Sequence, residues 1–262
     1  MVIQKTDLRQ QIFLHLDGLV VAPTAYYLLQ KGILDYLLQK ESISLKELSN
    51  HFKANEGYLN VALRILASQG FLNYTIDNQK DEIGISINSK SEYAFSNFHL
   101  YEDVVKVLEE TDFFISVQIE STHIHKIANL FEKFRNNFGI TFSDDNEELT
   151  IQQQILKHIE GYLVAPIVVS LGMTGMFHKY FMETSFKAEE FHKEPETFKI
   201  ILDFFTFLGW FTQKNGFYQF TETGLFFAKR ATAYGVTVSY LPMFKNLNQM
   251  LFGNASALRD ID

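Results

Sequence analysis

The stretch His15-Leu16-Asp17-Gly18-Leu19-Val20-Val21-Ala22-Pro23 returns later in the chain as His158-Ile159-Glu160-Gly161-Tyr162-Leu163-Val164-Ala165-Pro166. His, Gly, Val, Ala and Pro recur at one constant offset, and the changes between them are conservative. A repeat of this kind constrains a fold more than any single motif, because both copies must solve the same packing problem. The fold class it predicts is mainly α with small β-hairpins, in two tandem winged-helix modules joined by a helical connector. The expected divisions are 1–96 for the first module, 97–150 for the connector and an acidic loop, 151–235 for the second module, and 236–262 for an apolar helical tail.

The first copy opens on a helical pattern in which Leu8, Ile12, Leu16 and Leu19 recur at three- and four-residue spacing. Gly18 and Pro23 then read as punctuation, with a new helix starting near Ala22 and ending or bending at Gly32. Ser44 and Glu47 fit a capping box, with Leu45, Leu48 and Phe52 facing inward. A third helix, Tyr58 to Ser68, places Leu59, Ala62, Leu63 and Leu66 on one face, and Gly70 caps it. Two β-rich runs, Phe71 to Ile76 and Glu82 to Ile87, follow on either side of a polar loop. Helix, turn, helix and hairpin is the order of a winged helix.

The second copy keeps that order with shorter spacing. Gly175 matches Gly32, and Leu202 to Phe211 matches Leu63 to Leu72 after a small deletion. Asn215-Gly216 between two aromatic runs is a two-residue hairpin signal, and Thr221 to Gly224 starts a helix. In the connector, Tyr101 to Ser116 and Thr122 to Phe138 read as helices. Ile124, Ile127, Phe131, Phe134 and Phe138 form a narrow apolar seam of the kind that packs on another helix. Residues 143–148 read as a solvated acidic linker.

Charge and composition narrow the function. The formal net charge is −8, and the longest basic run is the pair Lys229-Arg230, so no nucleic-acid partner is expected. The absence of cysteine removes disulfides, thiolate metal sites and a thiol nucleophile. No apolar run reads as long enough to span a bilayer and no secretory signal is evident, so a soluble, cytoplasmic protein with no membrane partner is expected.

Gly32-Ile33-Leu34-Asp35-Tyr36-Leu37, Leu45-x-x-Leu48 and Leu59-x-x-Ala62-Leu63-Arg64-Ile65-Leu66-Ala67-Ser68-Gln69-Gly70-Phe71 resemble the N-terminal winged-helix dimerisation region of S-adenosylmethionine-dependent O-methyltransferases. Phe217-Tyr218-Gln219-Phe220-Thr221-x-x-Gly224 resembles the wing-to-helix passage of the same region. The resemblance covers each module but not the connector, and winged helices of regulators share much of it. It implies dimer contacts, part of a small-molecule substrate pocket, and a separate Rossmann-like domain that holds S-adenosylmethionine. That domain would follow roughly where the sequence stops. The doubling departs from the simple family pattern, and methyltransferases of polyketide pathways with large helical lids are a closer candidate. Leu171 to Gly175 does not serve as a donor loop, since Gly175 is explained by the repeat. No cofactor is therefore expected in this chain, and its partners would be a second copy or a methyltransferase catalytic domain. Enzymatic activity would depend on that added domain.

No catalytic, cofactor-binding or metal-ligating residue emerges from the pattern. His15 and His158 read as core or interface histidines bonded to backbone rather than as ligands. His123-x-His125 diverges on a helix and so makes a poor metal pair. Asp17 and Glu160 read as first-turn carboxylates favoured by a helix dipole, with acid–base chemistry as the alternative. Arg64 is expected to pair with a surface carboxylate. Tyr240, Phe244 and Phe252 of the tail are the candidates for a substrate pocket or a docking face, against ordinary core packing. Two other functions stay open: a stand-alone interaction scaffold whose two copies form a pseudo-dimer, and a winged-helix DNA-binding regulator.

Overall fold

The computed structural model describes residues 5–110, 121–183 and 185–253. In chain order the elements are α1 (Lys5–Gln30), α2 (Ile33–Lys40), β1 (Ser42–Ser44), α3 (Leu45–Phe52), α4 (Glu56–Ser68), β2 (Asn73–Asp77), β3 (Glu82–Ser86), α5 (Ser91–Asn97), α6 (Tyr101–Glu110) and α7 (Ser121–Arg135). There follow α8 (Asn146–Met173), α9 (Met176–Tyr180), α10 (Pro195–Phe207), β4 (Phe211–Lys214), β5 (Phe217–Phe220), α11 (Glu222–Ala228), α12 (Ala231–Val238), α13 (Leu241–Lys245) and α14 (Leu247–Phe252). The protein is mainly α with small antiparallel strand groups, as the periodicity predicts. It divides into two compact units interleaved along the chain. One, the crossing unit, takes the described residues of 1–19, 106–141 and 156–241, and the companion unit takes those of 20–105, 142–155 and 242–262.

In the companion unit the first winged-helix order is realised as α3, α4 and the β2–β3 hairpin. Ser44 and Glu47 close the capping box of α3, and Asn55 caps α4 through the Tyr58 amide. Leu45, Leu48, Leu59, Ala62, Leu63 and Leu66 are buried as their spacing requires. Sequence reading misses β1, which pairs antiparallel with β3 and makes the sheet order β1-β3-β2. Three residues with alternating serine carry too little periodicity to be read as a strand. Tyr74 of the hairpin reaches back to α4, its hydroxyl donating to Asn60 Oδ1 at 2.7 Å. Arg64 does not pair with a carboxylate as expected. Its guanidinium lies over the Tyr74 ring, 6.0 Å from the centroid, since the hairpin brings an aromatic face and no acid to that side.

In the crossing unit the order recurs in shortened form, a 3-10 turn at Ala188–Glu190 standing in place of α3 ahead of α10 and the β4–β5 hairpin. Asn215 and Gly216 both take positive φ, 54° and 80°, as the two-residue turn demands. Gly209 at φ 78° ends α10 in the same conformation in which Gly70, φ 77°, ends α4. The α7 seam packs as expected through Phe134: Phe131 stacks on Phe204 of α10 at 3.9 Å, with Phe134 edge-on to the same ring, but the helix ends at Arg135 and Phe138 lies beyond it with φ 54°. The α6 pattern beyond residue 110 lies outside the described residues.

Two expectations fail in one place. Pro23 and Pro166 do not start new helices, because α1 and α8 run through them without a break. A mid-helix proline removes one hydrogen bond and crowds the carbonyl four residues back, but here the flanking turns are buried. Val21, Ala22 and Ala25 lie inside around Pro23, as do Val164, Ala165, Ile167 and Val168 around Pro166. The Thr24 hydroxyl donates to the Val20 carbonyl at 2.7 Å beside the first of these breaks in the ladder. Unbroken, the two helices do reach the length and apolarity of a membrane span, contrary to the shorter runs expected. Their apolar windows are 61% and 78% buried within the protein, which is the environment of core helices.

Candidate functional site at the helix crossing

Gly18 and Gly161, equivalent in the repeat, are where α1 and α8 meet in the crossing unit. A β-carbon on Gly18 would overlap the carbonyl oxygen of His158, and one on Gly161 would overlap the α-carbon of His15. Each glycine thus accepts the backbone of the histidine that stands three residues before the other. This reciprocal contact is the repeat expressed in space, and it explains Gly18 as a contact point rather than the punctuation expected.

Glycine at the crossing brings polar side chains into a dry interior. His15, His158 and Glu160 are almost fully buried. His15 Nε2 lies 3.1 Å from Glu160 Oε1, and its Nδ1 lies 2.9 Å from the Tyr234 hydroxyl of α12. Gln11 Nε2 donates to the same carboxylate oxygen at 2.8 Å, and Lys157 Nζ donates to Oε2 at 2.5 Å. Burial alone would raise the Glu160 pKa, but the His15 hydrogen bond and the charges of His15 and Lys157 outweigh it and hold the group down to about 2. Burial, then the neighbouring His15 charge, pushes His158 down to about 3. Burial and the Glu160 charge push Tyr234 well above its ordinary value.

An aromatic wall backs the cluster. Phe227 of α11 stacks on His15 at 5.7 Å and on Trp210 at 4.5 Å with the two rings parallel to within 1°. Trp210 is fully buried, and Gly224 packs directly on its carbonyl. The tyrosine–histidine–carboxylate row resembles a proton relay in geometry. Its members are sealed from solvent and tie α1, α8 and α12 together.

The accessible feature of this unit is an open groove of about 620 Å³ formed by the end of α8 with α9, α11 and α12. Val169, Met173, Phe177, Phe181 and Val236 supply apolar walls, and Gly235 lines it with open space in front of its α-carbon. His178 and Lys229 are exposed cationic or donor groups on the same lining. Gly172 approaches Ala231 closely, a hypothetical β-carbon lying 3.1 Å from the alanine methyl, and this brings α8 and α12 together.

The sequence candidates fall elsewhere. Tyr240 is exposed after α12, in the crossing unit. Phe244 is buried in α13, and Phe252 is half-buried in α14 beneath the Lys31 ammonium, 4.9 Å from its ring, both in the companion unit. None of the three lines the groove. Glu160 is not a first-turn carboxylate and neither is Asp17: both stand in the middle of long helices, because the prolines do not restart them. His15 is a core histidine as read, but its partners are side chains rather than backbone. The Glu160 role was visible only as a repeat position, and nothing in the local pattern named Tyr234 or the groove. The His123 side chain lies outside the described residues, and His125 is exposed.

Among the described residues both sheets are antiparallel. Gly172 packs inside the end of α8 and Gly175 caps α9 with φ 80°. Both glycines thus serve helix packing and capping rather than a strand-to-helix turn.

Comparison with known proteins yields two matches along the chain. Residues 8–74 match the AprA N-terminal domain and residues 160–254 match the AprA winged helix domain. No curated protein matches the chain. The second match spans α10, the β4–β5 hairpin and the helices that follow, where the structure has the winged-helix order. With both matched regions in one chain, the protein belongs to a winged-helix-containing family.

Proposed function

We propose that this chain is the non-catalytic lid and dimerisation portion of a small-molecule S-adenosylmethionine-dependent methyltransferase. It shapes a substrate pocket and subunit contacts while a separate domain holds the methyl donor. The observation that carries the reading is the character of the exposed face of α10. In a DNA-reading winged helix the second helix must be exposed to enter a major groove. Here the inner face (Phe198, Ile201, Leu202, Phe204 and Phe205) is buried, with Phe131 covering Phe204, and the exposed positions are Glu196, Lys199, Asp203 and Phe207, two acids and a phenyl ring against one lysine, a face unsuited to a phosphate-lined groove. The module is used for shape and packing, in keeping with the resemblance of both copies to the methyltransferase region. The acidic net charge works against a phosphate partner in the same way.

A second reading, a stand-alone scaffold with an internal pseudo-dimer, draws on the reciprocal glycine crossing. Light scattering separates the two: a homodimer supports the lid and dimerisation role, and a strict monomer supports the scaffold. Calorimetric titration with S-adenosylmethionine tests the lid reading from another side, since saturable binding by this chain alone contradicts it. Avid binding of random duplex DNA at low salt would restore the regulator.

A further inference from the structure

We infer that the groove between α8, α9 and α12 is a binding site for a soluble apolar anion, an acyl or aryl body bearing one carboxylate. The inference stands apart from the lid reading, because it needs no catalytic domain. Its volume of about 620 Å³ falls in the range of small-molecule sites, roughly 300–1,000 Å³. The walls are aliphatic and aromatic, and Met173 and Val236 on them are each 68% exposed, apolar surface that a ligand would take from water.

Charge selects the kind of ligand. In a chain with 31 acidic and 23 basic residues, the groove lining holds Lys229 and His178 and no carboxylate. Among the described residues neither side chain has a hydrogen-bond or ion-pair partner. The adjacent basic residue differs: Arg230 lies on the Phe226 ring and donates to the Phe226 carbonyl. A cationic ligand would meet an uncompensated ammonium, and a neutral one would leave it unused. A carboxylate completes it while the apolar body fills the trough.

Gly235 gives a clean test. It sits within α12 with nothing within 4 Å of a built β-carbon, so a larger side chain enters the groove without striking the fold. Calorimetric titration with decanoate, using decanol as the neutral counterpart, is expected to show saturable binding to the whole chain. Gly235→Leu is expected to weaken both ligands by about tenfold or more, with thermal melting showing that the variant stays folded. Lys229→Gln, at an exposed position, is expected to weaken decanoate by about three- to fivefold and leave decanol unchanged. Absence of saturable decanoate binding, binding indifferent to Gly235→Leu, or equal loss of both ligands in Lys229→Gln would each overturn the assignment. Co-sedimentation with phosphatidylglycerol vesicles without a decanoate signal would overturn it too, replacing the soluble ligand by a lipid surface.

Discussion

Gly18 lies against the backbone of His158 so closely that a methyl group would occupy the position of its carbonyl oxygen. Gly161 stands in the same relation to His15. Alanine is the better helix former by about 1 kcal/mol, so on local grounds either substitution should help. Overpacking at the crossing reverses the sign, and Gly18→Ala and Gly161→Ala are each expected to lower stability by about 1–3 kcal/mol. Gly235→Ala, with open space before it, is expected to raise stability by up to about 1 kcal/mol. Urea midpoints measure all three, and equal midpoints would refute the contact argument.

Acid acts on the crossing through two groups with the same sign. The folded His158 titrates near 3 instead of 6.5, so the unfolded chain takes a proton there that the folded chain does not. Stability therefore falls as pH drops through 6.5 and goes on falling towards 3. Glu160 titrates near 2 instead of 4.5, so its contribution is complete above 4.5 and is lost as pH falls through 2. A melting temperature that declines steadily below neutrality is expected, and His158→Gln should flatten the upper part of that decline. A profile level from neutrality to about pH 4 would show that His158 is not linked to folding, and one that stays level on to about pH 2 would show the same for Glu160.

Tyr234→Phe keeps the ring and removes the hydroxyl that meets His15 Nδ1. The histidine is then left with a buried, unmatched nitrogen, at a cost of about 1–3 kcal/mol. Double-mutant cycles with Glu160→Gln should give a coupling energy of at least about 0.5 kcal/mol, because both residues act on one imidazole. Strict additivity would separate them.

Phe131→Ala removes a ring stacked on Phe204 and opens the α7–α10 seam. A loss of about 3–5 kcal/mol is expected. Phe207→Ala, on the exposed side of the same helix, should cost well under half of that. The comparison is read from thermal melts of the two variants, and similar losses would mean that the seam is not what holds α10.

Local chemistry was legible wherever one residue decides a conformation. Gly32, Gly70, Gly175 and Gly209 all take the positive φ that their cap positions demand. Ser44 with Glu47, and Asn215 with Gly216, are likewise as the residues dictate. The prolines were misread because their local effect is disruptive, while the burial that overrides it comes from residues far along the chain. The same blindness hid the site. His15, Glu160 and Tyr234 meet only because two glycines let α1 and α8 touch. The groove has no pattern of its own, being the space left where α9, α11 and α12 fail to close over the end of α8.

Trp210 is the sole tryptophan of the chain, and it stands sealed behind Phe227, which in turn faces His15. Its indole is thus a built-in fluorophore for one unit alone. Emission shifting to longer wavelength marks the wetting of the crossing, whereas loss of ellipticity records helices throughout the molecule. If the two signals part during a titration, the order in which the units come apart can be followed without any label.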